Sequence, residues 1–334
     1  MSIKASIIVL NYNGKEDTIE CLNSLKKTRY PKKEYEIIIV DNKSDDGSIE
    51  EIKKRFVDSN IRIKVNKKNF GYAEGNNIGA RMARGELLIF LNNDTIVDEN
   101  WLNPLIEKMN DGKIGVCMPK ILYYYGKKKE IINTFGGGMT LLGVPYLIGE
   151  GEKSSKFNAS FPVFWASGCC LVIKKSLFLE IGGFDKSFFL YAEDLDLSWR
   201  VWNEGYKILT VPNSRIYHKG GKTLKRIEKG KFGPRYYYFQ NRNVIKTIIK
   251  NSPTKYLIFF LLPSRFFLNI IQAIVLLFSK KDIKITAAII KGTFEGILTR
   301  RKRTLLKFLP YPYILFADFK TTLIELIKKF RKHV

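Results

Sequence analysis

Strand-like runs alternate with helical patterns in the first third of the chain, and this alternation limits the possible folds more than any other feature. The runs are short and mostly apolar, and they cover residues 6–10, 36–40, 61–65 and 87–91. Between the runs, apolar residues recur at helical spacing, as at Ile19, Leu22 and Leu25. Apolar strands separated by amphipathic helices are typical of a parallel sheet that is covered on both faces. The sequence therefore predicts an α/β fold.

Polar side chains follow three of these runs directly. Asn11 follows the first run, Asp41 the second, and Asn92, Asn93 and Asp94 the fourth. Ligands of parallel sheets bind at the carboxyl ends of the strands, so we expect one nucleotide-type site there. A carboxylate such as Asp41 can accept a hydrogen bond from a base or a ribose. Asp94 beside an amide suits Mg²⁺ or Mn²⁺ on a diphosphate, although an ordinary strand-to-turn segment explains these residues equally well.

A glycine-containing segment, residues 69–79, joins the third run to a helix. Its glycines permit close backbone approach to a ligand, and the start of the helix offers amide donors to a phosphate. The spacing matches neither a P-loop nor the dinucleotide-binding fingerprint, so this signal is weak by itself.

Three carboxylates, Glu193, Asp194 and Asp196, lie within four residues and directly follow an aromatic stretch. A carboxylate beside bulky apolar groups can act as a base in a partly dehydrated site. A solvated helix start explains the same acids, because acids favour a helix N-terminus.

The chain has only two histidines, and His333 lies in the C-terminal tail. His218 follows the strand predicted at residues 206–211 and precedes two glycines. A histidine near an apolar segment is often a hydrogen-bonded core residue. The glycines, and an amide in place of an acid at Asn92, favour a metal ligand.

Charge is spread unevenly along the 334 residues, whose formal net charge is +25. Residues 222–334 hold 25 Lys and Arg against 5 Asp and Glu. A basic and apolar segment favours anionic lipid head groups over nucleic acid.

The four cysteines match no zinc spacing, and we expect them to be reduced and buried. The chain passes from Met1 straight into a strand pattern, so we expect no signal peptide.

Apolar and basic stretches recur in this last third. Residues 256–279 are largely apolar, and four residues interrupt them: Pro263, Arg265, Asn269 and Gln272. Because an arginine at mid-depth of a bilayer is costly, we expect two shorter amphipathic or re-entrant helices there. Residues 283–298 and 321–332 repeat this combination of apolar and basic residues. Residues 300–303 are four consecutive basic residues, which suit phosphate head groups. A soluble helical cap on the catalytic domain is the alternative.

Seven motifs in order give the chain a family resemblance, and they lie at residues 7–14, 40–48, 69–77, 91–94, 182–185, 191–197 and 217–221. Together they resemble the inverting family 2 glycosyltransferases of the GT-A fold, in particular their rhamnosyltransferase-like branch. The resemblance implies a GT-A catalytic domain at residues 1–221, with a nucleotide-sugar half to about residue 110 and an acceptor half at 111–221. A helical, membrane-associating extension would follow at residues 222–334.

The resemblance also implies a set of roles. Asp194 would be the catalytic base, with Glu193 beside it, and Asp94 and His218 would hold the divalent metal. The nucleotide-sugar would be bound by Asn11, Asp41, Asn69, Gly71, Asn76 and Asn93. Trp165, Tyr191 and Asp196 would contact the acceptor, whereas we expect Trp199 to pack in the core. The family usually has an acid where this chain has Asn92, which weakens the expected metal site.

These roles imply transfer of a sugar, rhamnose being one candidate, from a nucleotide-diphospho-sugar to a hydroxyl of a glycan or a lipid-linked acceptor. The product would be a cell-surface polysaccharide or glycoconjugate, made at the cytoplasmic face of the cell membrane. Two alternatives remain. A sugar nucleotidyltransferase would need a basic phosphate loop after the first strand, which residues 11–16 do not supply. A non-catalytic membrane-binding protein would have no reason to place acids at strand ends.

Overall fold

The protein is represented by a computed structural model, which describes residues 3–57, 60–124, 130–220, 232–253, 257–280 and 282–299. The described strands are β1 (Ala5–Asn11), β2 (Tyr35–Asp41), β3 (Ile61–Val65), β4 (Leu87–Asn92), β5 (Thr95–Val97), β6 (Ile114–Tyr123), β7 (Ile132–Thr134), β8 (Gly137–Met139), β9 (Pro145–Leu147), β10 (Cys170–Lys174) and β11 (Lys207–His218). The described α-helices are α1 (Lys15–Lys26), α2 (Ser48–Arg55), α3 (Gly71–Met82), α4 (Leu102–Lys108), α5 (Lys175–Glu180), α6 (Glu193–Asn203), α7 (Pro234–Asn251), α8 (Leu262–Lys280) and α9 (Ile283–Ile297).

One mixed sheet organises the protein, in the order β3-β2-β1-β4-β10-β6-β11-β5, with β7 beside β6. The four strands predicted from the first third are parallel neighbours, which confirms the α/β fold. β10 then inserts antiparallel between β4 and β6, and β6 pairs parallel with β11. The ends of β1, β2 and β4 consequently lie side by side, with Asn11 next to Asp41 and Leu10 next to Asn92.

Helix α3 packs closely on this parallel half. A Cβ at Gly79 would lie 2.5 Å from Ile8 Cγ2, and one at Gly75 would lie 2.5 Å from Leu10 Cδ1. These glycines therefore let α3 approach β1 closely. The sequence alone did not predict this packing role for them.

His218 is the last residue of β11 rather than a residue beyond the strand, because the strand continues past residue 211 through an irregularity before Arg215. All four cysteines are free and buried, as expected. Trp199 is 1% exposed and packs edge-on against Phe164, which confirms its core position.

The prediction of two short helices at residues 256–279 is wrong. A five-residue π-helical turn, Leu257–Leu261, leads into one continuous helix, α8. Pro263 lies at the second position of α8, where a helix needs no N–H donor. Arg265 is 2% exposed and faces the protein. Residues 300–303 and 321–332 lie outside the described residues, and the division at residues 221 and 222 stays a prediction.

Candidate active site

Asn11 is the centre of a hydrogen-bond network that joins the ends of β1, β2 and β4. Its Nδ2 donates to Asp41 Oδ1 (2.8 Å) and to Ser48 Oγ (2.8 Å). Its Oδ1 accepts from Thr18 Oγ1 (2.9 Å) and from Asn93 Nδ2 (3.2 Å). Asn11 and Asp41 are fully buried, so their hydrogen bonds stabilise this edge of the sheet within the protein interior. Direct contact of Asn11, Asp41 or Asn93 with a nucleotide stays a prediction.

A second amide network fixes the turn before α3. Asn42 Nδ2 donates to Asn69 Oδ1 (3.2 Å) and to the carbonyl of Gly71 (3.0 Å), and Asn42 Oδ1 accepts from Asn66 Nδ2 (2.9 Å). Asn69 Oδ1 also accepts from the Gly71 amide (2.8 Å). Asn76 is buried and donates to the carbonyl of Tyr72 (3.0 Å). Donor binding by Asn69, Gly71 and Asn76 stays a prediction.

Gly71 has a positive φ of 77°, and a Cβ there would lie 2.4 Å from the carbonyl oxygen of Phe189. The close approach that the sequence analysis assigned to a ligand is made, in this structure, by the protein's own loop.

Asp94 and His218 lie together at the neighbouring part of the edge. His218 Nε2 faces Asp94 Oδ1 at 3.3 Å, and His218 Nδ1 lies 3.1 Å from Asn133 Oδ1. A protonated His218 ring can donate from Nε2 toward Asp94 and from Nδ1 to Asn133, and loss of the Nε2 proton would leave a lone pair there for a metal ion. Burial lowers the pKa of His218, but Cys169 and Asp94 outweigh burial and raise it well above its ordinary value.

A buried imidazole nitrogen facing a carboxylate fits a shared divalent cation. Among the described residues, however, no group of three or more His, Cys, Asp or Glu side chains is arranged as a metal site. The protein therefore offers two ligands, Asp94 and His218, and metal binding stays a prediction.

Lys219 fixes the end of β11 beside these two residues. Its amide donates to the carbonyl of Asp94 (3.0 Å), and its ammonium group pairs with Asp17 (2.7 Å) and with Glu20 on α1. Only 3% of its side chain is exposed, so this ion-pair cluster connects the ends of β11 and β4 to α1.

Glu193 and Asp194 form the first turn of α6, in different environments. Asp194 is half-buried, with Oδ2 accepting from the Gly168 amide (2.8 Å) and Oδ1 from the Leu195 amide (2.8 Å). Burial raises the pKa of Asp194, and these amides offset part of that effect. Burial, with the charge of Asp194, raises the pKa of the Glu193 carboxyl well above its usual value. Glu193 Oε2 is buried without a hydrogen-bond partner in the described part of the chain.

Residues 168 and 169 connect the two halves of this site. The Gly168 amide contacts Asp194, and the carbonyl of Cys169 accepts from the Asn92 amide (2.9 Å). Burial raises the pKa of the Cys169 thiol; His218 lowers it, whereas Asp94 and Asp194 raise it. The buried Cys169 thiol therefore contacts His218, and the charges of Asp94 and Asp194 both act on it.

The loop before α6 has an unusual backbone. Phe189, Tyr191 and Ala192 have positive φ angles of 64°, 68° and 60°. Such conformations cost non-glycine residues roughly 1–3 kcal/mol each, and they persist only where neighbouring groups hold them. Glu193 and Asp194, the predicted catalytic acids, thus follow a strained segment.

The three predicted acceptor residues have different surroundings. Tyr191 is half-buried and meets Tyr236 edge-on, with ring centroids 5.2 Å apart. Trp165 Nε1 donates to the carbonyl of Gly138 (3.1 Å), and 9% of the residue is exposed. Acceptor contact by these two side chains stays a prediction.

The structure corrects the prediction for Asp196. Its side chain is fully buried, pairs with Arg200 (2.8 Å), and accepts from Asn251 Nδ2 on α7 (2.9 Å). Lys250, also on α7, lies 3.5 Å away. Asp196 therefore holds α6 against α7, because helical spacing turns it away from the side of Asp194.

Several site residues were missed by the sequence analysis: Ser44, Asn66, Tyr72, Asn133, Gly168 and Asn243. Ser44 and Asn66 lie just beyond strand ends, so their positions could have identified them. The others are distant in sequence from their partners, and no local pattern connects them.

Comparisons with known proteins agree with this architecture. The family model Glycosyl transferase family 2 matches residues 6–182, more than half of the chain. The O-antigen biosynthesis protein RfbC of Myxococcus xanthus is 29% identical over 222 residues, which cover 64% of this chain but only 17% of RfbC.

Two solved structures show the same fold. TarS 1–349 of S. aureus in complex with UDP matches 99% of this chain and 89% of that chain, with a TM-score of 0.55 and 16% identity. The mannosyltransferase PcManGT of Pyrobaculum calidifontis, in complex with GDP-Man and Mn²⁺, matches 89% of this chain and 88% of that chain, with a TM-score of 0.56 and 14% identity. The chain therefore belongs to glycosyl transferase family 2 and has the GT-A fold.

Proposed function

We propose that the protein is an inverting glycosyltransferase that moves a sugar from a nucleoside diphospho-sugar to a hydroxyl of a glycan or a lipid-linked acceptor. The observation that carries this proposal is the position of Asp194. It is a half-buried carboxylate with a raised pKa that accepts from the Gly168 amide. The next residue, Cys169, accepts from the Asn92 amide, two residues before Asp94, and its thiol contacts His218. A base and a diphosphate site on one sheet edge are what a single displacement requires.

In the proposed reaction, Asp194 takes the proton of the acceptor hydroxyl while the oxygen attacks the anomeric carbon. The nucleoside diphosphate leaves from the opposite face, so the configuration inverts. A divalent cation bound by Asp94 and His218 would neutralise charge on the diphosphate. Burial and the neighbouring carboxylate raise the pKa of Glu193, which favours its protonated form over the charged one.

The donor is a nucleotide sugar, and dTDP-, UDP- and GDP-sugars all remain candidates. TarS and PcManGT were solved with UDP and with GDP-Man respectively. Rhamnose is the first sugar to test, because the motifs resemble the rhamnosyltransferase-like branch. The match to an O-antigen biosynthesis protein supports a cell-surface glycan as the product.

We further propose that α8 and α9 seat the protein on the cytoplasmic face of a membrane. One stripe of α8 is polar and faces the protein: Arg265, Asn269 and Gln272 are 2%, 1% and 8% exposed. The opposite stripe is apolar and faces outward, and it comprises Phe267, Ile271, Ile274 and Phe278, which are 64%, 46%, 49% and 76% exposed. A surface helix in water has the opposite arrangement, with its apolar residues toward the protein and its polar residues toward the solvent.

The inward polar groups find partners in the neighbouring helices. Asn269 Nδ2 donates to Thr293 Oγ1 on α9 (2.9 Å), and Arg265 reaches Asn241 Oδ1 on α7 (3.5 Å). Arg265, which argued against a membrane-spanning helix, is therefore turned inward. Phe259–Ser279 is 21 residues long and apolar enough to cross a membrane, and only a third of its most apolar stretch is buried.

The outward face of α9 continues the apolar surface with Ile283, Ile290 and Phe294. The excess of basic residues after residue 221 favours an anionic lipid surface as the occupant.

A donor panel tests the catalytic proposal. Purified full-length protein is incubated with dTDP-, UDP- and GDP-sugars and Mn²⁺, with and without a lipid-linked acceptor, and release of nucleoside diphosphate is measured. We expect one donor to stand out and the acceptor to accelerate its release. Release of pyrophosphate, or no turnover of any nucleotide sugar, would contradict the proposal.

Vesicle flotation tests the membrane proposal. We expect the native protein to float with anionic vesicles, and the triple variant Phe267→Glu, Ile274→Glu, Phe278→Glu to lose this binding. Leu179→Glu is the matched control, because Leu179 is 53% exposed on α5, away from these helices. A native protein that self-associates through this face and floats with no vesicle would contradict membrane contact.

A further inference from the structure

The carbonyl groups of the strained loop at residues 187–191 are all bound by two helices. Helix α3 supplies one donor, the Tyr72 amide, to the carbonyl of Phe189 (2.6 Å). Helix α7 supplies the others, although it begins more than forty residues after the loop. This loop leads directly into Glu193 and Asp194.

Asn243 makes most of the contacts from α7. Its Nδ2 lies 3.0, 2.8 and 2.8 Å from the carbonyl oxygens of Phe188, Leu190 and Tyr191. Its Oδ1 accepts from Arg242 Nε (2.8 Å), which orients the amide with its donor group toward the loop. Asn243 is fully buried.

Arg242 completes the arrangement from the same turn of α7. Its guanidinium donates to the carbonyls of Ser187 (2.9 Å) and Phe188 (3.1 Å). Together, Arg242 and Asn243 bind four of the five carbonyl groups. A backbone with three non-glycine residues at positive φ needs such external constraints to hold one conformation.

We propose that Asn243 is a positioning residue for catalysis, which fixes the loop and so sets the position of Asp194. This inference rests on the proposed role of Asp194 as the base. It also assigns α7 to the catalytic unit, although the sequence placed this helix in the membrane-associating extension.

The membrane-facing helices rest on the same part of α7. A Cβ at Gly292 of α9 would lie 2.5 Å from the carbonyl oxygen of Tyr238, and one at Gly296 would lie 2.8 Å from that of Arg242. Helix α9 thus packs against the backbone of the turn whose side chains hold the loop.

Asn243→Leu tests the proposal, because leucine keeps a similar volume and removes the donor. Asn241→Leu is the matched control: Asn241 is also buried on α7, but its Nδ2 donates to Tyr237 of its own helix and its Oδ1 faces Arg265 on α8, so neither group contacts the loop. We expect Asn243→Leu to lower kcat by about 10- to 100-fold and to leave the KM for the donor and nucleotide affinity nearly unchanged. Asn241→Leu should keep kcat, at a comparable loss of thermal stability. Equal kcat values for native protein and Asn243→Leu would overturn the proposal.

Hydrogen exchange measures the mobility of the loop directly and needs no nucleotide-sugar donor. Amides of residues 187–195 should exchange faster in Asn243→Leu than in native protein, with no such change in Asn241→Leu. If no nucleotide sugar is turned over by native protein, the proposed function fails, and exchange alone then tests the loop. Unchanged exchange in Asn243→Leu would overturn the positioning role.

Discussion

The predicted donor side of the site, around Asn11, and the predicted catalytic side, around Asp194, are held in place by different means. On the donor side, buried amides, hydroxyls and a carboxylate around Asn11 bind one another, and all of them lie within the first hundred residues. On the catalytic side, a strained loop is held from outside by α7, through contacts that join residues more than fifty positions apart. It follows from this difference that the network around Asn11 forms together with the parallel sheet. The loop before Asp194 is held in its conformation only when α7 has packed against it.

The largest expected effect is on turnover from the catalytic side. Asp194→Asn should lower kcat by roughly a hundredfold or more, because general base catalysis is lost while the shape of the side chain is kept. Nucleoside diphosphate release measures kcat, and calorimetric titration with the nucleotide should show unchanged affinity. Asp45→Asn is the control, since Asp45 is exposed and lies near the same edge. Near-normal turnover in Asp194→Asn would remove Asp194 from the role of base.

The next effect concerns the cation between the two sides. Asp94→Ala and His218→Ala should each raise the Mn²⁺ concentration for half-maximal activity by more than the roughly 10- to 100-fold that is typical of losing an outer-shell partner, because each removes a direct ligand. Asn133→Ala should have a smaller effect in the same direction, because Asn133 orients the His218 ring. His333→Ala, which changes the other histidine of the chain, serves as the control. Full activity of native protein in excess EDTA would show that no metal is needed.

A smaller effect, on stability rather than turnover, is expected from the packing of the donor side. Gly79→Ala should lower the free energy of unfolding by about 1–3 kcal/mol, because its Cβ would press on Ile8 and Val40 in the core. Gly112→Ala should change stability little, since nothing lies within 4 Å of a Cβ there. Urea unfolding followed by circular dichroism measures both variants. Equal stabilities of the two variants would mean that α3 does not pack as closely as the structure has it.

The smallest effect is a pH dependence on the catalytic side. The folded-state pKa of Glu193 is raised, so its ionisation as pH rises above the usual value of 4.5 favours unfolding. Glu193→Gln cannot ionise, and it should therefore have a higher Tm than native protein at pH 7. The gain should shrink as pH falls and vanish below 4.5, where Glu193 becomes protonated in both states. A lower Tm for the variant at pH 7 would show that charged Glu193 stabilises the fold.

Sequence reasoning predicted the donor side better than the catalytic side, for a physical reason. Strands β1, β2 and β4 have local signatures, namely an apolar run followed by a polar tip, and the parallel register places those tips together. The pairing of Asp94 with His218 also follows from strand ends meeting at one edge. By contrast, the partners of Asn243 and Asn133 depend on how distant segments pack, which no spacing within the sequence encodes.

The predictions for Asp196 and Arg265 were wrong for the same reason. Asp196 was grouped with Asp194 because the two are adjacent in sequence, but helical geometry turns Asp196 toward Arg200 and α7. Arg265 was counted as a charge in lipid, because a hydropathy pattern does not show which face of a helix meets the protein. Both side chains needed the positions of α7 and α8 before their roles could be assigned.

The anomeric configuration of the first-formed product tests the central claim most directly, since it reports whether one base acts in a single displacement. NMR of the transfer product gives the one-bond carbon–proton coupling constant at the anomeric carbon of the new bond, which differs between the two anomers. Our account predicts a configuration opposite to that of the nucleotide-sugar donor. A product with the donor's own configuration would contradict it, because Asp194 could not then be the base of one inverting step.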